Sequence, residues 1–195
     1  KYVHTLKRNT GKLSNMVNEL LEIHRMDVYT PQLKANYISA NSYVQAIYNE
    51  FKEWANQVAI TLQLTLPEQE VKLWLDEKYF SKILSNILSN AIKYSNAGST
   101  IRLSISVENL RELTPLYKNA FENTTHTLPG KQLVVKVQDE GIGLEKNALS
   151  EIFERFHRVE GQGQKRVGSG IGLSLVKSLV EAHRGGIIIS SKPNV

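Results

Sequence analysis

Asn86, Asn90, Lys93 and Tyr94 fall at i, i+4, i+7 and i+8, so on a helix they share one edge. An asparagine oxygen is a hard neutral ligand that can join phosphate oxygens around Mg²⁺, and an ammonium offsets phosphate charge. The same residues also suit the solvated face of an amphipathic helix, although two asparagines on one helix run against propensity. A second stretch, Asp139-Glu140-Gly141-Ile142-Gly143-Leu144, follows the alternating run Leu133, Val135, Val137 and reads as a strand ending in a tight turn. Its glycines permit positive φ or the close approach of a ligand, and the acid beside them can accept hydrogen bonds from a bound base or sugar. A plain hairpin turn would carry the same residues. A third, Gly168-Ser169-Gly170-Ile171-Gly172-Leu173, opens a helix, where free backbone N–H groups and the positive end of the dipole suit phosphate; a glycine-rich linker is the plainer alternative.

Several other chemistries are excluded. The third stretch lacks the Gly-Lys-Ser/Thr of a Walker loop and does not follow a strand as a dinucleotide fingerprint must. His4, His24, His126, His157 and His183 are scattered without metal-ligand spacing, which argues against a histidine metal site. No Gly-x-Ser-x-Gly elbow is present, and the absence of cysteine removes thiolate chemistry and disulfides. With 24 Lys and Arg against 19 Asp and Glu, the net charge is +5, and the cations form no long stripe of the kind that binds nucleic acid. No apolar run approaches the ~20 residues that span a bilayer. The expectation is a cytoplasmic fragment with no nucleic-acid partner and no membrane contact of its own, the cytoplasmic part of a membrane-anchored sensor being compatible with this.

The elements that must position these residues follow from hydrophobic period. Leu6, Leu13 and Leu20, with Met16, Val17, Leu21 and Ile23 beside them, predict one amphipathic helix over the first 27 or so residues, ended by Tyr29-Thr30-Pro31. Its apolar stripe is too wide to stand alone, so it is expected to pack on another chain or a neighbouring helix. A short extended piece over Leu33 to Ile38 leads to a second helix on Val44, Ile47, Phe51, Trp54 and Val58, capped by Asn41 or Ser42. Two strands come next, over Ile60 to Leu66 and Val71 to Leu75, with Pro67-Glu68-Gln69-Glu70 turning the chain between them. Asp76 caps a third helix with Phe80, Ile83, Leu84, Ile87, Leu88 and Ala91 inward, and Ile101 to Val107 forms the next strand. Residues 108 to 131 read as a loop with one short helix around Leu116 to Phe121. After the strand leading to Asp139 comes the run Ile152-Phe153-Glu154-Arg155-Phe156, then a Gly/Gln/Lys segment from Gly161 to Arg166. A fourth helix carries Leu175, Val176, Leu179 and Val180 inward, and Ile187 to Ile189 make a last strand.

The order of these motifs resembles the ATP-binding catalytic domain of sensor histidine kinases, within the GHKL ATPase superfamily shared with gyrase, Hsp90 and MutL. Residues 86 to 94 are similar to the family's N box, Asp139 to Leu144 to its first glycine box, Phe153-Glu154-Arg155-Phe156 with Arg158 to its F box, and Gly168 to Leu173 to its second glycine box. The resemblance covers roughly residues 38 to 191 and implies an α+β fold, a two-layer α/β sandwich of the Bergerat type, with three helices on one face of a mixed, mostly antiparallel sheet plus an N-terminal bundle helix. It implies ATP and Mg²⁺ as cofactors. Asp139 would read the adenine amine and discriminate against guanine, and Asn90 would hold the metal. Asn86, Lys93, Tyr94, Gly141, Gly143, Leu144, Phe153 and Leu173 would line the nucleotide site, with Gly168, Gly170 and Gly172 cradling phosphates. Lys165 belongs to the implied lid from Gly161 to Val167, and Arg158 would steady the γ-phosphate as the catalytic residue.

The first helix, residues 1–30, resembles the second helix of the family's dimerisation and phosphotransfer domain, which implies a homodimer. Residues 31–195 would be the catalytic domain, stopping before a last strand. Neither His4 nor His24 is followed by the acid and proline of an acceptor motif. The implied enzyme is therefore a protein-histidine kinase fragment that passes phosphate to a histidine outside itself, and from there to a response-regulator receiver domain, without autophosphorylating alone. Two alternatives stand beside it: a nucleotide-binding regulatory or dimerisation module, and a GHKL-type ATPase. The ATPase would need a glutamate base near the N box, where the helix offers Ser85 and Ser89.

Overall fold

The computed structural model describes Thr10, Ser14, Val17, Leu21 and residues 32–109, 121–123, 130–146, 148–156 and 170–193. In chain order the elements are β1 (Asn36–Ser39), α1 (Ala40–Gln57), β2 (Thr61–Thr65), β3 (Lys72–Leu75), α2 (Glu77–Tyr94), β4 (Thr100–Asn109), β5 (Phe121–Asn123), β6 (Lys131–Gln138), α3 (Ala148–Glu151), α4 (Gly172–Ala182) and β7 (Ile187–Ile189). Of the predicted N-terminal helix, Thr10, Ser14, Val17 and Leu21 are helical and exposed; the rest of it lies outside the described residues.

Three of the four strand pairings are antiparallel: β1 with β3, β4 with β6, and β5 with β7. The fourth, β2 with β4, is parallel, so among the described residues the three-stranded sheet β2-β4-β6 is mixed, as the resemblance implied, while β1-β3 and β5-β7 stand as separate two-stranded ladders. Register keeps each apolar set on one face: Leu62 lies opposite Ile101, Leu64 opposite Leu103, and Leu103 and Ile105 opposite Val137 and Val135. A one-residue slip would turn all of these outward. On that face α1 lays Val44, Ile47, Phe51 and Ala55, and α2 lays Phe80, Leu84, Leu88, Ala91 and Ile92. A second cluster joins α2 to α4, with Ile83 meeting Ile171, Leu175, Val176 and Leu179.

The two strands flanking Pro67 do not pair with each other, since β2 goes to β4 and β3 goes to β1. Asn41 is one cause: its amide donates to the Pro67 carbonyl at 3.2 Å and accepts from the Val71 N–H at 2.9 Å, fixing the connection to α1. That use of Asn41 also corrects the predicted cap. Helix α1 starts earlier, at Ala40, and the Ser39 hydroxyl accepts from the Ser42 N–H at 3.3 Å. In the 108–131 stretch β4 runs on to Asn109, and Phe121 begins β5 instead of ending a helix; the remainder of that predicted helix lies outside the described residues.

Asp76 caps α2 as expected and does more. One carboxylate oxygen accepts from the Tyr79 N–H at 3.0 Å and the other from the Lys34 N–H at 2.8 Å, so a single buried side chain starts the helix and ties down the segment entering β1. Replacing it leaves two donors without their acceptor. Asp76→Ala should cost about 2 kcal/mol, more than an average cap, and Asp76→Asn less because it keeps a capping oxygen. Urea unfolding followed by far-ultraviolet circular dichroism would measure both.

Candidate nucleotide site

Helix α2 supplies the first wall. Its apolar residues occupy the sheet and α4 sides, leaving Asn86, Asn90 and Lys93 half-buried along a third edge and Tyr94 exposed at its end. Asn90 makes no side-chain hydrogen bond to another described residue, and Lys93 pairs with no described carboxylate. Asn86 differs: its amide donates to the Lys82 carbonyl at 2.9 Å, which turns its oxygen toward α4.

The turn after β6 is stitched to the C-terminal end of α2. Ser95 and Gly141 form an isolated antiparallel bridge, and the Ile142 N–H donates to the Tyr94 carbonyl at 3.3 Å. A Cβ on Gly141 would lie 2.8 Å from that same carbonyl oxygen, so the close approach requires glycine there. Gly143 takes φ +68° and packs on the Lys192 carbonyl, while the Leu144 N–H donates to the Ser191 hydroxyl at 2.9 Å. Within this frame Asp139 is exposed. One of its oxygens accepts from the Gly141 N–H at 2.9 Å, and the other has no partner among the described residues. The neighbouring acid is occupied: Glu140 accepts from the Thr100 N–H and from the Arg102 guanidinium, each at 2.9 Å. The backbone hydrogen bond from Thr100 first, and then Arg102, hold its carboxyl below the usual glutamate range.

The third wall is the start of α4. Ile171 stands at the cap position without a side-chain cap, so the first N–H groups of the helix keep the orphan character that favours an anion. Gly170 takes φ +71°. Gly172 abuts Asn86, whose oxygen would lie 2.6 Å from a Cβ added there, so the polar edge of α2 meets the second glycine box at this contact. Phe153 is buried, and the Phe156 N–H donates to the Gly170 carbonyl at 3.0 Å, bringing together the two ends of the stretch from 157 to 169. Leu173 is half-buried on α4. Arg158, Lys165 and Gly168 lie outside the described residues.

Contacts thus tie the Gly141 turn to the C-terminal end of α2 and Gly172 to Asn86 on its polar edge, with no carboxylate and histidine cluster of metal-binding kind among the described residues. Such a site suits a ligand that brings its own anionic oxygens. The "Histidine kinase-, DNA gyrase B-, and HSP90-like ATPase" family matches residues 75–195. The chain belongs to that family. It is 28% identical over 188 residues to the sensor histidine kinase WalK of Bacillus subtilis (strain 168), an alignment covering 96% of this chain and 28% of WalK. Its fold is that of the full-length ShkA structure in complex with AMPPNP, with a TM-score of 0.72 at 21% identity over 93% of this chain and 33% of that one. The histidine kinase ThkA, in complex with the response regulator protein TrrA, is similar at a TM-score of 0.65 and 16% identity over 100% of this chain and 51% of that one. The chain therefore spans about a quarter of the curated relative's length, and its fold class is the GHKL sandwich that the motifs implied.

Sequence inspection did not anticipate the Glu140–Thr100–Arg102 clamp, the Ser191 and Lys192 contacts, or the fit of Gly172 to Asn86. Each joins residues far apart in sequence with no shared spacing to reveal them. Gly172→Ala should weaken nucleotide binding by about tenfold through the displaced Asn86 contact, and adding Asn86→Ala should recover part of that loss by making room. Calorimetric titration with ATP of the two single variants and the double variant would check this.

Proposed function

We propose that this chain is the ATP-binding catalytic part of a two-component sensor histidine kinase, which binds Mg-ATP and passes the γ-phosphate to a histidine outside residues 1–195. The observation that carries the reading is that two glycine-bearing segments both contact helix α2, which carries the Asn86, Asn90 and Lys93 edge: the turn after β6 meets its C-terminal end through Ser95 and Tyr94, and Gly172 at the start of α4 meets Asn86. The family match and the AMPPNP in the ShkA neighbour support ATP as the ligand. Residues 31–195 form the catalytic domain in this reading, supported by the way α1 and β2 pack into one core with α2 and β4. Residues 1–30 are assigned to a dimerisation and phosphotransfer helix, consistent with the helical, exposed Val17 and Leu21.

Asp139 reads the adenine amine through the oxygen that has no partner among the described residues, and a guanine carbonyl in place of the amine would leave the carboxylate unpaired. Asn90 fits one ligand position of Mg²⁺ because its amide makes no side-chain hydrogen bond among the described residues and its oxygen is hard and neutral; the metal would supply charge neutralisation for the phosphates. Lys93 and Tyr94 line the same edge. Gly170 and Gly172 present backbone to the phosphates, and Gly168, Arg158 and Lys165 are assigned to the phosphates, the γ-phosphate and the lid on the motif alone. These residues have to position the phosphate and offset its charge, since phosphoryl transfer asks little covalent chemistry of the protein.

The receiving partner is a response-regulator receiver domain, by analogy with the ThkA and TrrA complex. A cytoplasmic location accords with the described residues, where no helix is long and apolar enough to cross a membrane. ATP hydrolysis of the gyrase type is disfavoured by the acids nearest the N box. Asp76 is buried under two backbone N–H groups, and Glu77 accepts from the Asn36 amide at 3.3 Å at the far end of α2.

Asp139→Asn should lower ATP affinity at least about tenfold with an unchanged circular dichroism spectrum; an unaltered affinity would sink the adenine assignment. In the same titrations, Asn90→Ala should abolish the difference between runs with and without Mg²⁺. For transfer itself, a longer form of the protein incubated with radiolabelled ATP should gain acid-labile, base-stable phosphate. Label stable to acid, or none at all, would refute the kinase reading.

A further inference from the structure

Strand β6 leaves β4 at a definite place. The antiparallel register sets Arg102 opposite Gln138, and continued by two residues it would set Thr100 opposite Glu140. The main chain does not continue: β6 ends at Gln138, and Gly141 is already bridged to Ser95 at the end of α2. An abandoned ladder position leaves a backbone donor without its acceptor. Here the Glu140 side chain takes the role, its carboxylate accepting the Thr100 N–H at 2.9 Å while its other oxygen meets Arg102 at 2.9 Å.

We propose that Glu140 is a positioning residue for base recognition: its carboxylate replaces the departing strand at Thr100, and thereby fixes the branch point at which Asp139 is held outward. The inference rests on the reading of Asp139 as the adenine acceptor. Asp139 lies between the last ladder residue, Gln138, and the Glu140 anchor, so its backbone is pinned from both sides. Its side chain adds a third constraint by accepting from the Gly141 N–H. Arg102 has a separate part, because it offsets the Glu140 charge. With Glu140 paired to Arg102, the turn presents the single uncompensated carboxylate that a hydrogen bond from the base amine requires. Both Glu140 oxygens are engaged, one by Thr100 and one by Arg102, which separates its role from that of Asp139.

The test is calorimetric titration of the whole chain with ATP and, separately, GTP, in four variants. Glu140→Ala should weaken ATP binding about tenfold and leave the weak GTP affinity unchanged, so that the ATP to GTP ratio falls by the same factor. Glu140→Gln keeps an oxygen for the Thr100 N–H and should stay within about threefold of the natural chain. Asp139→Asn with Glu140→Ala should match Asp139→Asn alone, since positioning an absent acceptor gains nothing. Losses that multiply in the double variant, or a Glu140→Ala ratio equal to the natural one, would overturn the proposal. A Glu140→Gln variant as weak as Glu140→Ala would also overturn it, by assigning the effect to charge. If Asp139→Asn leaves the ratio unchanged, it is the adenine assignment that fails; if only Glu140→Ala does so, the assignment stands and this inference fails.

Discussion

Helix α2 is buried along two lines at once, and the site depends on that constraint. Leu84 and Leu88 go to the sheet while Ile83 goes to α4. A helix covered on two sides retains one strip, and at about 100° per residue Asn86, Asn90 and Lys93 lie within roughly 60° of one another around the axis. Every other wall is placed relative to this strip. The α4 terminus is set by the Ile83 to Leu179 cluster, and the Asp139 turn by the Tyr94 and Ser95 contacts. Core packing and site geometry are therefore one problem, because a shift of α2 against either neighbour moves an amide, a carboxylate or a helix terminus relative to the other two.

Much of this was legible in the sequence because the governing forces act over short spans. The apolar face of α2, its Asp76 cap, and the alternation of β4 and β6 are patterns of period 3.6 or 2 within a dozen or so residues, and they survive in the fold. The candidate site residues stood out for a related reason: amides on one helix edge and glycines in a turn announce unusual local requirements. Pairing was not legible. Nothing in Ile60 to Leu75 says that the two strands go to different partners, and Asn41, on the preceding helix, contributes by closing on Pro67 and Val71. The acceptor for the Thr100 N–H, forty residues away on Glu140, is equally invisible, since an acid next to a functional acid looks like part of the same function.

The glycines illustrate how a local reading can be right in place and incomplete in cause. In isolation, Gly141 and Gly172 read as openings through which a ligand nears the backbone. In the fold, both are already pressed by the protein itself: Gly141 by the Tyr94 carbonyl and Gly172 by the Asn86 oxygen. Their first duty is to let segments distant in sequence come within contact of α2. A larger residue would separate the turn from the helix before any nucleotide arrived, so loss of binding in such a variant would report assembly of the walls as much as contact with phosphate.

The same logic extends to the stretch between the F box and the second glycine box. The Phe156 N–H bonded to the Gly170 carbonyl joins the residues on either side of it. Phe156 holds φ +63° while its ring is 58% exposed, a backbone conformation that costs a bulky residue about 1–3 kcal/mol. Glycine would relieve that cost and would also loosen the junction, since its unfolded chain has more freedom to lose. The anchor of this stretch is thus a strained residue packed next to a glycine that takes φ +71° without penalty. That pairing places the start of α4 against the F box, and through Gly172 against α2, so all three walls share one continuous set of contacts.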